Sequence, residues 1–433
     1  MTGEVRPHGG GVIDDLTARG LVQDHTDLDA LRDRLDAGPT PTYCGFDPTA
    51  DSLHIGNLQS IMLLRRFQDA GHPPIALVGG ATGMIGDPSG RSSERTFLDT
   101  DVLDANRAAI GTQLARFLSF DGAAAATVVD NRTWTESVSV LEFLRDVGKH
   151  VTINTMLAKD SVRSRMERES GISYTEFSYM LLQANDFDVL HQSHACDLQV
   201  AGSDQWGNIT AGVDLVRRRR GEAVHGLTAP LIVRADGTKF GKSEGENIWL
   251  DTARTSPYRL YQYFLNVGDE DVEPLLLRLT TVTVEECRRI AVEHAAAPER
   301  RLGQRALARA LTSVVHGSDA IAAIEEASAV LFGDQPITSA SVGALDLLAA
   351  EVPSSTVTRG DLLGSDPVDL VADGEVGLAR SKGEVRRNLQ GYSVNQVKLS
   401  DRPGAPLAES DLLHGRYILL ARGRRTHHLV TVG

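Results

Sequence analysis

A doubly wound parallel α/β sheet is the fold class predicted for residues 1–245, on three observations. Short apolar runs alternate with longer helical patterns, the runs end in Gly or a polar residue, and the stretches richest in polar chemistry fall at those ends. The strand-like runs are TYCGF (42–46), PIALVGG (74–80), ATVVDN (126–131) and CDLQVAG (196–202), with helical stretches at 58–70, 101–120, 136–147 and 176–190. Ligands are expected at the carboxyl ends of such strands. From 257 to 333 the pattern is helical, with Ala-rich amphipathic segments, so a helical domain is expected over 246–333. Residues 334–358 hold Pro, Ser, Thr and Val without clear periodicity and are expected to be a linker, followed by a small α+β module over 359–433.

Length and composition fit this plan. A chain of 433 residues suggests two or three domains, and 41% hydrophobic with 24% charged residues is ordinary for a soluble protein. No apolar run reaches a membrane-spanning length, and MTGEVRPHGGG lacks the apolar core of a signal peptide. Cys44, Cys196 and Cys287 are far apart, which gives neither a disulfide framework nor a zinc site. A reducing cytoplasm is the simplest compartment.

The net charge of −14 is unevenly spread. Between Asp334 and Glu375 the only basic residue is Arg359. After Glu375 ten basic residues, among them Lys382, Arg386, Arg387, Arg422, Arg424 and Arg425, face four acidic ones. A polyanion site is the expectation for this tail. The RRRR run at 217–220 is expected to be only a solvated surface.

Four stretches carry the chemistry. In PTYCGFDPTADSLHIGNL (41–58) Gly45, Pro48, Asp51 and Ser52 suffice for a strand-to-helix turn, yet Thr49, His54 and Asn57 are added. A helix start offers unpaired N–H groups to phosphate, Gly56 permits close approach, and imidazole and carboxamide add donors. In RADGTKFGKSEGENIWL (234–250) Lys239 and Lys242 stand three apart in a Gly-rich loop, suited to a triphosphate whose charge rises in a transition state. It is not a Walker A loop, because Asp236 stands where its first Gly should be.

The third stretch, LVGGATGMIGDPSGRSSERT (77–96), has G-x-x-G-x-x-G spacing, which departs from the dinucleotide fingerprint. It aims Asp87 at the crevice and adds Arg91 and Arg95. In EFSYMLLQANDFDVL (176–190) Tyr179, Gln183 and Asp186 share one helix face, implying a polar-lined pocket. AGSDQWGNI (201–209) follows with Asp204, a residue type that pairs with ribose hydroxyls, and Gln205.

With YCGFDPTADSLHIGN, GGATGMIGDPSGR, EFSYMLLQANDF, GSDQWGN and KFGKS in this order, the chain resembles the bacterial-type tyrosyl-tRNA synthetases, class I aminoacyl-tRNA synthetases. The resemblance implies a Rossmann-like catalytic domain over 1–245, the KFGKS loop at its junction with the helical domain, and an S4-like RNA-binding domain at the end. It implies that L-tyrosine and ATP, the latter with Mg2+, form tyrosyl-AMP and pyrophosphate, and that tyrosine then passes to the 3′ end of tRNA(Tyr). No side-chain nucleophile and no protein-bound catalytic metal is expected. By the same resemblance, Thr49, His54, Asn57, Lys239, Lys242, Arg91 and Arg95 serve catalysis. Tyr43, Asp87, Tyr179, Gln183, Asp186 and Gln205 bind tyrosine, with Tyr43 and Asp186 on the phenol. Cys44, Gly45, Asp47, Gly56, Gly202 and Asp204 bind the nucleotide. A cytoplasmic homodimer is implied, with no membrane association.

Asn57 stands where the family's HIGH signature has its second His, and Asn185 where an aromatic residue is common. The rival readings are the tryptophan enzyme, a synthetase-derived RNA binder without catalysis, and a small-molecule nucleotidyltransferase. The paired Tyr43 and Asp186, the intact phosphate residues and the basic tail count against each in turn.

Overall fold

The computed structural model describes residues 11–433 except 90–97, 167–170, 234–236, 238–239, 244–245, 320, 334, 403 and 424–425. The chain forms two compact units, Met1–Thr255 with Tyr263–Val315, and Ser256–Gln262 with His316–Gly433.

The first unit is built on a five-stranded parallel sheet. Its strands are β1 (Thr42–Phe46), β2 (Pro74–Val78), β3 (Thr127–Asp130), β4 (Leu198–Gly202) and β5 (His225–Ala229), in the order β3-β2-β1-β4-β5. The order reverses between β1 and β4, which pair at Thr42–Leu198 and Tyr43–Gln199, so the crevice expected of a doubly wound sheet opens at their carboxyl ends. β2 is buried along its whole length and β4 nearly so, as strands covered on both faces must be. Tyr43, Ile75, Leu77, Phe187, Leu190 and Val216 form one core beneath the site.

β5 is a strand that the sequence pattern did not single out, because HGLTA is short and opens with His and Gly. Its outer edge is covered by a segment near the start of the chain: Gln23 donates to the Thr228 carbonyl (2.8 Å) and Thr228 to the Asp24 carbonyl (2.8 Å). An edge so paired does not recruit a stray strand.

The second unit holds a sheet of β8 (Ser354–Val357), β9 (Tyr392–Val394), β10 (Val397–Lys398), β11 (Tyr417–Arg422) and β12 (Thr426–Val432), ordered β10-β9-β11-β12-β8. Its core gathers Val371, Val385, Val394, Ile418, Leu420 and Val430. The stretch 334–358, expected to be a linker, instead carries the helix Val342–Glu351 and β8, which pairs in parallel with β12. Ser341 starts that helix by accepting from the Ala344 N–H (3.2 Å), and β-branched Thr356 and Val357 favour the strand. Among the described residues no helix is long and apolar enough to cross a membrane.

Candidate active site

The chain leaves β1 through Asp47, Pro48 and the exposed Thr49, and enters the helix Ile55–Asp69 with His54 as its N-cap. His54 Nδ1 accepts from the Gly56 N–H (3.1 Å), and Asn57 Oδ1 accepts from the His54 N–H (3.1 Å). This reciprocal cap has two chemical consequences. A neutral His54 ring whose Nδ1 accepts must carry its proton on Nε2. Asn57, with its oxygen engaged in the cap, keeps an NH2 as its donor end.

The segment after the KFGKS stretch is zipped to this corner. Ile55 N–H donates to the Ile248 carbonyl and Leu250 N–H to the Leu53 carbonyl, both at 2.8 Å. The rings of His54 and Trp249 meet edge to face at 6.0 Å, and the Arg254 guanidinium lies 4.5 Å over Trp249 while its Nη2 meets Asp51 at 2.5 Å. A two-stranded hairpin, β6 (Lys242–Ser243) with β7 (Glu246–Asn247), rises from this base, so Lys242 lies on the same strip of backbone as the His54 corner. Lys239, Arg91 and Arg95 lie outside the described residues.

Deeper in the crevice, the long helix Tyr174–His194 brings Asp186 to the end of β3. Asp186 is 2% exposed, and its two oxygens accept from Asn131 Nδ2 (2.9 Å) and Trp134 Nε1 (2.8 Å). Burial raises its pKa to about 7, against the pull of those two donors. Tyr43, 1% exposed on β1, feels the Asp186 charge, and burial raises its own pKa well above the usual phenol value. Its hydroxyl has no hydrogen-bond partner among the described residues. A buried polar group in this state calls for a partner of matching chemistry.

Polar side chains run on from there. Asn131 Nδ2 also donates to Thr82 Oγ1 (3.0 Å), Thr82 donates to Asp47 Oδ1 (2.8 Å), and Tyr179 Oη donates to Asp47 Oδ2 (2.9 Å). Gly79 is required beside this chain: a Cβ there would lie 2.2 Å from Thr82 Oγ1 and 2.3 Å from Asp47 Oδ1. Asp87, 8% exposed, accepts from Gln205 Nε2 (2.6 Å) and the Ser89 N–H (3.0 Å), with Asn208 Nδ2 at 3.5 Å. Gln183 lies half-buried on the same helix as Tyr179 and Asp186. The pocket thus has a carboxylate and a phenol at its buried end and a second carboxylate set towards the strand ends.

Cys44 on β1 and Gly202 at the end of β4 flank the switch point, with Asp204 just beyond. Burial pushes the Cys44 thiol up to about 12, so it stays protonated at neutral pH. Gly45 and Gly56 both face solvent, and Asp47 is half-buried within the hydrogen-bonded chain.

In the second unit, Lys382 Nζ meets Asp369 (2.8 Å), Arg386 lies 3.9 Å from Asp366, and Arg422 Nη2 meets Glu384 (3.1 Å). Arg387 is exposed at the end of the helix Lys382–Arg387. Arg424 and Arg425 lie outside the described residues.

One expectation is corrected. The RRRR run is not merely a solvated surface: Arg219 (2.7 Å) and Arg220 (2.6 and 2.8 Å) both bind Asp188, which is 1% exposed. A carboxylate so buried needs its charge matched. Five further residues escaped sequence reasoning: Thr82, Asn131, Trp134, Asn208 and Trp249. The signal for two of them was DNRTW at the end of the third strand-like run, where polar residues were to be expected.

The sequence profile of the class I tRNA synthetases (W and Y) matches residues 36–333. The chain is 51% identical to a tyrosine–tRNA ligase of Anaeromyxobacter dehalogenans (strain 2CP-1 / ATCC BAA-258) over 97% of this chain and 99% of that one. It is 49% identical to a tyrosine–tRNA ligase of Opitutus terrae, again over 97% and 99%. The crystal structure of a C-terminally truncated mitochondrial tyrosyl-tRNA synthetase of Aspergillus nidulans superposes with a TM-score of 0.66 at 33% identity, covering 72% of this chain and 92% of that one. The chain belongs to the tyrosine–tRNA ligase family of the class I tRNA synthetases.

Proposed function

We propose that this chain activates L-tyrosine with ATP and transfers it to tRNA(Tyr). The observation that carries the choice of amino acid is the Tyr43 hydroxyl, buried beside Asp186 and without a hydrogen-bond partner among the described residues. A substrate phenol placed there accepts from Tyr43 and donates to the Asp186 carboxylate. Phenylalanine leaves the Tyr43 hydroxyl unpaired, at a cost of about 1–3 kcal/mol, and gives Asp186 no donor beyond Asn131 and Trp134. Asp87, Tyr179, Gln183 and Gln205 hold the ammonium and carboxylate end of the substrate.

In the first step a carboxylate oxygen of tyrosine bonds to the α-phosphorus of MgATP while the bond to pyrophosphate breaks. Mg2+ enters with the ATP phosphates, and Cys44, Gly45, Asp47, Gly56, Gly202 and Asp204 seat the nucleoside. Thr49, the Nε2–H of His54 and the amide NH2 of Asn57 donate to phosphate oxygens as charge builds, and Lys239, Lys242, Arg91 and Arg95 offset the charge of the departing pyrophosphate. This is catalysis by positioning and electrostatics.

The second step delivers the acyl group to the terminal ribose of the tRNA. The second unit, read as S4-like over 359–433, supplies Lys382, Arg386, Arg387, Arg422, Arg424 and Arg425 to the RNA backbone. A homodimer is supported by an apolar face. Val140 and Leu141 are 74% and 79% exposed, with Leu144 and Ile153 also exposed. A patch of this kind marks an interaction surface. Three buried free thiols fit a cytoplasmic setting.

Exchange of pyrophosphate into ATP, with tyrosine, tryptophan and phenylalanine offered separately, tests the reading. Exchange with tyrosine alone supports it. Exchange with tryptophan overturns the substrate assignment, and none at all leaves a folded RNA binder.

A further inference from the structure

We propose that Tyr263 is a positioning residue for adenylate formation, acting through the base of the hairpin that carries Lys242; the proposal rests on the activation chemistry above. Gly241, the residue before Lys242, donates its N–H to Tyr263 Oη at 3.0 Å. The Gly241 carbonyl accepts from the Ile248 N–H (2.9 Å), and the Ile248 carbonyl accepts from the Ile55 N–H (2.8 Å). One phenol hydroxyl is therefore joined to a hydrogen-bonded relay that crosses both sides of the hairpin base and reaches the first residue of the helix capped by His54.

The packing leaves little slack in this relay. Gly241 has φ +95°, and a Cβ there would sit 2.4 Å from Ile55 Cγ2, so its backbone lies flush against the helix start. The Tyr263 ring is itself held, edge to face with Phe240 at 5.5 Å and with Phe264 at 5.2 Å. The aromatic cluster thus fixes the ring, the ring fixes the hydroxyl, and the hydroxyl fixes Gly241. Losing it lets the residue beside Lys242 shift relative to the phosphate corner, and small misplacements are costly where catalysis is by positioning. Tyrosine binding, set by Tyr43 and Asp186 elsewhere in the crevice, does not depend on this relay.

Tyr263→Phe deletes only the hydroxyl and keeps all three rings. In single-turnover measurements with saturating tyrosine and MgATP, the rate constant of tyrosyl-AMP formation should fall about fivefold, as for one deleted neutral hydrogen bond. The tyrosine dissociation constant should not move, and the thermal midpoint should fall by only a few degrees. In a Lys242→Ala background the same substitution should have almost no further effect, because its action passes through Lys242. An unchanged rate in Tyr263→Phe overturns the proposal. So does a fivefold loss that persists in Lys242→Ala, or one matched by weaker tyrosine binding. If the unsubstituted enzyme forms no adenylate, the activation chemistry itself fails, which is a separate result.

Discussion

The Trp134 indole N–H donates to Asp186 Oδ1 at 2.8 Å, while Asn131 holds the other oxygen of the same carboxylate. Two neutral donors thus pull down the pKa of a nearly inaccessible acid, the group that on the proposed reading meets the substrate phenol. Removing one should weaken that charge: Trp134→Phe is expected to raise the Asp186 pKa further and weaken tyrosine binding at pH 7.5 roughly tenfold, the scale of a hydrogen bond to a charged group. Fluorescence or dialysis titrations of tyrosine check this, with phenylalanine affinity as the unaffected control.

The pKa of about 7 predicts a pH dependence with a definite sign. As pH falls through 7, Asp186 takes a proton and ceases to be a full acceptor for the substrate phenol. Tyrosine affinity should therefore drop by up to about tenfold between pH 8 and pH 6. For stability, a folded pKa above the unfolded one means that the neutral acid is the favoured buried form. This group's contribution is complete below pH 3.9 and is lost as pH rises through 7. Dissociation constants measured across this range, with phenylalanine as a flat reference, give the test.

Loss of a phosphate donor should act on the chemical step alone. His54→Ala and Lys242→Ala are each expected to slow adenylate formation by roughly 10²–10³, the range for a single preorganised transition-state donor. Tyrosine affinity should stay within about twofold. Rapid-quench measurement of adenylate with separate tyrosine titrations resolves the two effects.

The Arg165–Glu176 pair is almost fully buried, with side chains 3% and 2% exposed. Arg165→Met strands a buried carboxylate and should lower stability by about 3–5 kcal/mol. Arg165→Met with Glu176→Leu should recover most of that. Urea unfolding of the two variants checks it.

On the proposed reading, the ion pairs of the second unit compete with RNA phosphates. Lys382 spends part of its charge on Asp369, both more than a third exposed, so the pair is weak in itself and must open for a phosphate. Asp369→Asn should tighten tRNA binding a few-fold at low salt, and Lys382→Ala should weaken it and flatten its salt dependence. Filter binding across salt concentrations tests both, with pyrophosphate exchange unchanged.

Much of this was legible in the sequence because it was local. The helix start at 54–57 was marked by the strand-to-helix turn, although the cap proved to be His54 with Asn57 and not Asp51 or Ser52, and Tyr179, Gln183 and Asp186 share a face because a helix repeats every 3.6 residues. What escaped depends on distance along the chain. Asn131 reaches Asp186 across 55 residues and Arg219 reaches Asp188 across 31, and no periodicity announces such partners. The helix and strand within 334–358 escaped for a similar reason: β8 is too short to show alternation and is fixed by pairing with β12, far along the chain.

The central claim is that a phenol is recognised by Tyr43 and Asp186. Its most direct test is the ratio of kcat/KM for tyrosine to that for phenylalanine, in pyrophosphate exchange, for the unsubstituted enzyme and Tyr43→Phe. The account predicts a strong preference for tyrosine that falls about tenfold or more in the variant, because tyrosine loses a donor and phenylalanine no longer strands a buried hydroxyl. A ratio that Tyr43→Phe leaves unchanged would contradict it.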